Sequence, residues 1–170
     1  MGTVYYFKRQ YDSAQIVLER AAKIEPDEAN IYNTLSLMYA DQENFPEAMV
    51  NIRKGLALQP DNPYFLNNRG YLYLLTGDLP QALKDIDESI MEDPYNAWAY
   101  RNKGLYYLKM KDADQAIRLL EKAEQIEAVD KLYLFLGEAY QAKGNKVNAC
   151  KYFRKAADQK EISESGYARL

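Results

Sequence analysis

The chain has 170 residues, of which 48% are hydrophobic, so it is long enough to bury a substantial core as one domain. Its 22 Lys and Arg against 25 Asp and Glu leave a net charge of -3, and without a basic excess we expect no nucleic-acid partner. There is no histidine and only one cysteine, Cys150, which removes the commonest general base, the commonest metal ligand and any intramolecular disulfide. We therefore expect no catalytic residues, no metal and no cofactor.

The apolar runs are too short to cross a membrane. None approaches the roughly 20 apolar residues of a membrane-spanning helix, so the sequence predicts a soluble protein without a membrane span. A single cysteine is typical of a reducing cytoplasm, which is slightly favoured, but a periplasmic or extracellular repeat protein needs no disulfide either. The compartment therefore stays open.

Helical patterns recur along the chain with a fixed period. Small residues in one helical context are spaced by 34 and finally by 33: Ala14, Ala48, Ala82, Ala116 and Ala149. Prolines that end apolar stretches share the spacing of 34: Pro26, Pro60 and Pro94. Tyrosines keep the same register: Tyr5, Tyr39, Tyr73, Tyr107 and Tyr140. The period predicts one domain over residues 1–161, with repeats at 1–28 (partial), 29–62, 63–96, 97–129 and 130–161.

Each repeat is predicted to contain two helices. The third repeat predicts helices over 63–76 and 79–91, separated by Gly77 and Asp78. The partial first repeat predicts its second helix over 12–24. A residue with a side-chain oxygen precedes the second helix of the later repeats, where it can cap free backbone N–H groups for about 1 kcal/mol. These residues are Asn44, Asp78, Asp112 and Asn145.

The repeats resemble the tetratricopeptide family, whose pattern places W-x2-L-G-x2-Y, then A-x3-F, then P within each repeat. The third repeat carries this pattern as Leu66, Gly70, Tyr73, Gly77, Asp78, Ala82, Ile86 and Pro94. In the fourth repeat Ala128 replaces the proline and one residue is missing, so we expect an atypical turn after Glu127. The resemblance covers residues 1–161. It implies an all-α, right-handed superhelical solenoid of about four and a half repeats.

The resemblance also implies a function, because the family is a scaffold for protein partners rather than a catalyst. The leading hypothesis is an adaptor that binds an extended peptide or a partner protein in a concave groove. The alternative is an assembly module that self-associates through incomplete terminal repeats. The alternative is motivated by a first repeat that begins inside its first helix, and by residues 162–170, a tail or the start of a capping helix. We expect a fragment of a longer protein or a chain that covers its own ends.

In the family, the first helices of successive repeats line the concave groove. The residues expected there are Asn33, Thr34, Tyr64, Asn67, Asn68, Tyr71, Trp98, Arg101, Asn102, Lys131 and Phe135. Asparagines recur in this set at spacings of 34, and an amide both donates to and accepts from a peptide backbone. The pattern is similar to the asparagine ladder of the O-linked N-acetylglucosamine transferase superhelix. Two alternatives stay open: the asparagines are solvated or cap nearby loops, and Trp98 packs in the core.

Two narrower expectations complete the sequence analysis. The family's clamp for the carboxyl terminus of heat-shock chaperones needs two Lys, two Asn and one Arg on three successive first helices. The corresponding positions here match it only at Asn68, or at Asn102 and Lys131 after a shift of one repeat, so we predict no such clamp. Cys150 lies beside Ala149 on a second helix, where a buried, unreactive thiol is expected.

Overall fold

A computed structural model describes residues 2–161, and in this range the chain forms ten α-helices and no strand. The helices are α1 (Gly2–Phe7), α2 (Tyr11–Ile24), α3 (Ala29–Asp41), α4 (Phe45–Leu58), α5 (Pro63–Thr76), α6 (Leu79–Glu92), α7 (Ala97–Lys109), α8 (Ala113–Ile126), α9 (Leu132–Ala142) and α10 (Lys146–Asp158). The predicted bounds of α5 are confirmed, and α2 and α6 are each one residue longer than predicted. The all-α prediction is therefore confirmed.

The chain divides into two compact units, unit 1 (residues 1–85) and unit 2 (residues 86–170), and the boundary falls within α6. The single domain over 1–161 stays a prediction. The tail predicted at 162–170 lies outside the described residues.

The turn inside each repeat places one residue in the left-handed backbone region. These residues are Arg9 (φ 55°), Glu43 (φ 58°), Gly77 (φ 90°), Lys111 (φ 61°) and Gly144 (φ 80°). They follow the repeat spacing, so each helix-turn-helix uses the same turn geometry. Glycine adopts this region without steric cost, whereas the other three positions carry a side chain there.

The four predicted N-caps of the second helices are confirmed. Asn44, Asp78, Asp112 and Asn145 each accept a hydrogen bond from the backbone N–H three residues on, at 3.5, 3.3, 3.0 and 3.1 Å. The first helices also have caps, which the sequence reasoning did not name. Glu28 accepts from the N–H of Asn30, Asn62 from those of Tyr64 and Phe65, and Asn96 from that of Ala99.

In unit 1, α3 is the central helix and contacts α1, α2, α4 and α5. Among the described residues of this unit, α2 and α4 have no Cα atoms within 8 Å of each other. The first helices α1, α3 and α5 therefore form one layer, and α2 and α4 form a second layer packed against it. The core of the α3–α5 region contains Ile52, Phe65 and Leu66, all nearly inaccessible to solvent.

In unit 2, α7 packs on α8, α8 on α9, and α9 on α7 and α10. Glycines at two helix crossings of unit 2 permit a close approach of the paired helices. A Cβ at Gly104 would lie 2.5 Å from Leu120 Cγ, and a Cβ at Gly137 would clash with the ring of Phe153. A side chain at either position would thus force the crossing apart, at a cost of about 1 to 3 kcal/mol.

Two local predictions have opposite outcomes. The turn after Glu127 is atypical as predicted, because Glu127 is extended (φ -161°, ψ 141°), Val129 is buried and Lys131 is left-handed (φ 59°).

The prediction for Cys150 is wrong, because its thiol is exposed on α10. The pattern around it predicts a buried small residue, but Ala149, which is 5% exposed, takes that position.

Candidate functional site

The first helices of unit 1 carry a cluster of three side-chain amides. Asn68 on α5 donates from Nδ2 to Asn33 Oδ1 on α3 at 2.8 Å, and Asn67 donates from Nδ2 to Asn68 Oδ1 at 3.3 Å. Asn33 and Asn68 are half-buried, whereas Asn67 is only 3% exposed. The amides therefore bond to one another across neighbouring repeats, and two of the three keep exposed surface.

The other predicted residues of unit 1 divide by exposure. Thr34 is buried and its hydroxyl donates to the Asn30 carbonyl oxygen at 2.9 Å, so it serves its own helix. Tyr64 is exposed and Tyr71 is half-buried on α5. The exposed surface of these residues in unit 1 therefore combines amides on α3 and α5 with tyrosines on α5.

The first helices of unit 2 are organised around Arg101, which is 4% exposed. Its guanidinium lies 4.8 Å from the ring centroid of Trp98 and 5.8 Å from that of Phe135, within the range of cation–π attraction. It donates to Asn102 Oδ1 from Nη2 at 2.6 Å and from Nε at 3.1 Å, and to the Asp130 carbonyl oxygen from Nη1 at 2.8 Å. Trp98 keeps 37% of its surface exposed above this arginine.

Two predicted residues of unit 2 hold this arrangement from within. Asn102 is fully buried, and its oxygen is already taken by Arg101. Phe135 is 8% exposed on α9. Of the two aromatic site residues predicted in unit 2, Trp98 therefore has the larger exposed surface. Its ring packs against the guanidinium of Arg101.

Lys131 lies at the start of α9 rather than on its face. It is the N-cap residue of α9 and is exposed, but its side chain does not cap the helix. Instead Glu161, which follows α10, accepts the Leu134 N–H at Oε2 at 2.8 Å. Burial raises the pKa of the Glu161 carboxyl, against the opposing effects of that N–H and of Arg101. Sequence reasoning missed this cap, since a residue so distant along the chain gives no local signal.

A second polar cluster joins α8, α9 and α10. The rings of Tyr140 and Tyr152 stack with centroids 5.5 Å apart, and Tyr152 donates to Glu124 at 3.0 Å while Lys155 pairs with Glu124 at 2.7 Å. Burial, and then the hydrogen bond to Glu121, raises the pKa of Tyr140 to about 12. The pKa of Tyr152 is raised by burial and by Glu124. These contacts tie the last two repeats together.

The described residues give no sign of a metal or membrane site. Residues 2–161 hold no group of three potential ligands placed to bind a metal ion. In the same range no helix has both the length and the apolar character needed to cross a membrane. A cavity of about 420 Å³ lies at the α1–α2 turn, lined by Arg9, Gln10, Tyr11, Asp12, Ser13 and Gln42, and none of the predicted site residues borders it.

The helix-turn-helix repeats and their polar first helices define an all-α repeat protein. Family models described as tetratricopeptide repeat match residues 1–28, 29–59, 52–84, 99–130 and 130–161. The chain belongs to the tetratricopeptide repeat family. A search of curated proteins found no significant sequence match.

Solved structures share the fold over almost the whole chain. The crystal structure of MamA is 25% identical with a TM-score of 0.66, over 95% of each chain. TTC0263, described as a thermophilic TPR protein in Thermus thermophilus, is 22% identical with a TM-score of 0.85, over 99% of this chain and 92% of that one. The Cut9–Hcn1 hetero-tetramer of the APC/C is 14% identical with a TM-score of 0.86, over 92% of this chain and 32% of that one. Membership of the tetratricopeptide repeat family indicates a protein-interaction scaffold, and proteins of this family are generally non-catalytic.

Proposed function

We propose that the chain is a non-catalytic adaptor that binds an extended peptide along its first helices. The observation that carries the proposal is the bonded pair of half-exposed amides, Asn33 and Asn68, on two successive first helices. Because each amide has more donor and acceptor capacity than this one bond uses, the pair is suited to the backbone of a strand-like peptide. The bond between them holds both amides in place, which lowers the entropy lost on binding.

The predicted residues would act in two groups. Residues with exposed surface would contact the ligand: Asn33, Tyr64, Asn68, Tyr71, Trp98 and Lys131. Buried residues would position them: Thr34, Asn67, Arg101, Asn102 and Phe135. Aromatic residues and arginine dominate binding energy at interfaces, so Tyr64 and Trp98 would select ligand side chains.

The test uses peptides selected from a displayed random library on the purified chain and measured by fluorescence anisotropy. We expect the combined Asn33→Ala and Asn68→Ala change to weaken binding at least about tenfold. N-methylation of the peptide backbone should weaken binding to the same degree. A matched control is Tyr95→Ala, because Tyr95 is 78% exposed but lies outside the first helices. Equal affinity for the wild type and the amide variant would contradict the proposal.

Self-association is a second candidate function, favoured by one observation in unit 1. Val4 and Phe7 on α1 keep 55% and 76% of their surface exposed. Sedimentation over a range of concentrations should then show a dimer that Phe7→Asp disrupts. A monomer at all concentrations would contradict this candidate.

A further inference from the structure

The second helices of unit 1 expose large apolar side chains at equivalent positions. Ile16 on α2 and Val50 on α4 occupy the same position of successive repeats, and they keep 69% and 47% of their surface exposed. Ile24 and Leu58 are a second such pair, with 69% and 39% exposed. Positions eight apart in a helix lie close to one face, so each helix presents an apolar residue at both ends of one stripe.

A basic residue lies in the middle of each stripe. Arg20 lies midway between Ile16 and Ile24, and Lys54 midway between Val50 and Leu58; both are exposed. Together the stripes Ile16, Arg20, Ile24 and Val50, Lys54, Leu58 form what we call the α2–α4 face.

Cations outnumber carboxylates in the stretches of α2 and α4 that carry the two stripes. Lys23 and Arg53 are further exposed cations within residues 16–24 and 50–58, and Glu19 is the only carboxylate in those two segments. Glu19 Oε1 already accepts hydrogen bonds from Gln15 Nε2 at 2.8 Å and from the Tyr39 hydroxyl at 3.2 Å. Asp12 and Glu47 are exposed in the first turns of the same helices, so over α2 and α4 four cations stand against three carboxylates, and the positive excess lies in the middle and carboxyl-terminal part of the face.

The two stripes are separated and backed by α3. This helix contacts both α2 and α4, which do not approach each other within 8 Å among the described residues. Tyr39 of α3 reaches Glu19, and Lys54 lies 5.7 Å from the ring centroid of Tyr32, also on α3. Both stripes are thus supported by α3, which packs against each of the two helices.

The fold does not require an apolar residue at the position of Ile16 and Val50. The position of Ile16 and Val50 is occupied by Lys84 in α6 and Arg118 in α8, both exposed. In α8 the later positions of the stripe are retained, with Lys122 at the position of Arg20 and Ile126 at the position of Ile24, and Ile126 packs partly against the core. Ile16 and Val50 are therefore not needed for the core, because Lys84 and Arg118 occupy the same position in later repeats.

We propose that the α2–α4 face docks an amphipathic helix of a partner protein whose apolar residues are flanked by Asp and Glu. The apolar residues of the two stripes would contact the apolar side of that helix, as in other complexes that dock an amphipathic helix. The four cations would pair with its carboxylates and would reject a basic helix through like-charge repulsion. This surface is separate from the amide surface on the first helices and does not depend on it.

The test uses two synthetic helical peptides of about 18 residues with the same leucine face, one flanked by Glu and the other by Lys. Titrated against the full chain by fluorescence anisotropy, the Glu peptide should bind saturably and more weakly as salt rises, and the Lys peptide should not bind. Combined Ile16→Asp and Val50→Asp should weaken the Glu peptide at least about tenfold. Combined Arg20→Glu and Lys54→Glu should reverse the preference in favour of the Lys peptide.

The controls separate this face from other surfaces and from misfolding. Val147→Asp changes a valine that is 80% exposed on α10 and should leave the affinity unchanged. Asn33→Ala with Asn68→Ala should also leave it unchanged, so failure here and failure of the amide surface are distinguishable. All changed side chains of the α2–α4 face are exposed, and the helical circular dichroism should match the wild type. Equal binding of both peptides, or a wild-type dimer lost in the Ile16→Asp and Val50→Asp variant, would overturn the proposal.

Discussion

The first helices of the two units place different chemistry at equivalent repeat positions. Asn67 in unit 1 and Arg101 in unit 2 occupy the same position of successive repeats, and they are 3% and 4% exposed. Each donates to the amide oxygen of the next residue, Asn68 or Asn102. The third and fourth repeats therefore share the burial of this position but not its charge. One unit presents neutral amides, and the other presents an indole oriented by a buried cation.

The largest effect is expected at Arg101. Arg101→Met removes the guanidinium and leaves the buried Asn102 Oδ1 and the part-buried Asp130 carbonyl oxygen without this donor, so the free energy of unfolding should fall by about 3 kcal/mol. Urea unfolding followed by circular dichroism measures the change. A loss below about 1 kcal/mol would mean that the burial of this position, rather than its hydrogen bonds, stabilises unit 2.

The second-largest effect is expected at the two asparagines that accept these hydrogen bonds, and the loss of stability on their substitution should differ between them. Asn102 is fully buried and accepts a charged donor, so Asn102→Ala should cost about 2 kcal/mol. Asn68 is half-buried and accepts a neutral donor, so Asn68→Ala should cost about 1 kcal/mol. The same unfolding measurement on both variants tests the difference, and equal losses would remove the contrast between the units.

Alkaline pH should weaken the tyrosine cluster of unit 2. The folded pKa of Tyr140 is about 12 against an ordinary value of 10.0, so the folded state holds this proton more tightly. Its stabilising contribution is complete below pH 10 and is lost as the pH rises toward 12. The free energy of unfolding should be higher for wild type than for Tyr140→Phe near pH 8. This difference should be smaller near pH 11. Tyr95→Phe, at a 78% exposed position, serves as the control.

The smallest effect is expected at Lys131, whose backbone is left-handed (φ 59°). Lys131→Gly should raise the free energy of unfolding by about 0.5 kcal/mol, because glycine adopts this conformation without strain. If Lys131 contacts the peptide as proposed, the same variant should bind more weakly although it is more stable. A variant that is less stable than wild type would show that the lysine side chain supports the atypical turn.

The period of the sequence was sufficient to predict the fold. Prolines, small residues and tyrosines spaced by 34 identify helix pairs, and the bounds of α5 followed from apolar and aromatic residues at helical spacing that end at Gly77 and Asp78. These signals are local, because helix ends and turns depend on residues near them in sequence. The caps at Asn44 and Asp112 were predictable for the same reason.

The contacts of the site were less predictable, because they depend on side chains from different helices. The period places Asn33 and Asn68 on first helices, but it does not indicate that they bond to each other or that Asn102 is fully buried. Arginine is seldom buried in soluble proteins, so Arg101 between two aromatic rings was not expected. The prediction of a buried Cys150 was wrong for a related reason, because neighbouring residues of a helix face different sides and Cys150 follows the buried Ala149.

The cap of α9 by Glu161 has a consequence for the order in which the repeats form during synthesis. The helices α3, α5 and α7 each receive a cap from the residue directly before them, so these caps are synthesised before the helices that they cap. The first turn of α9 waits for Glu161, which follows α10. The hydrogen bond of the Leu134 N–H to Glu161 can therefore form only after both helices of the last repeat have been synthesised.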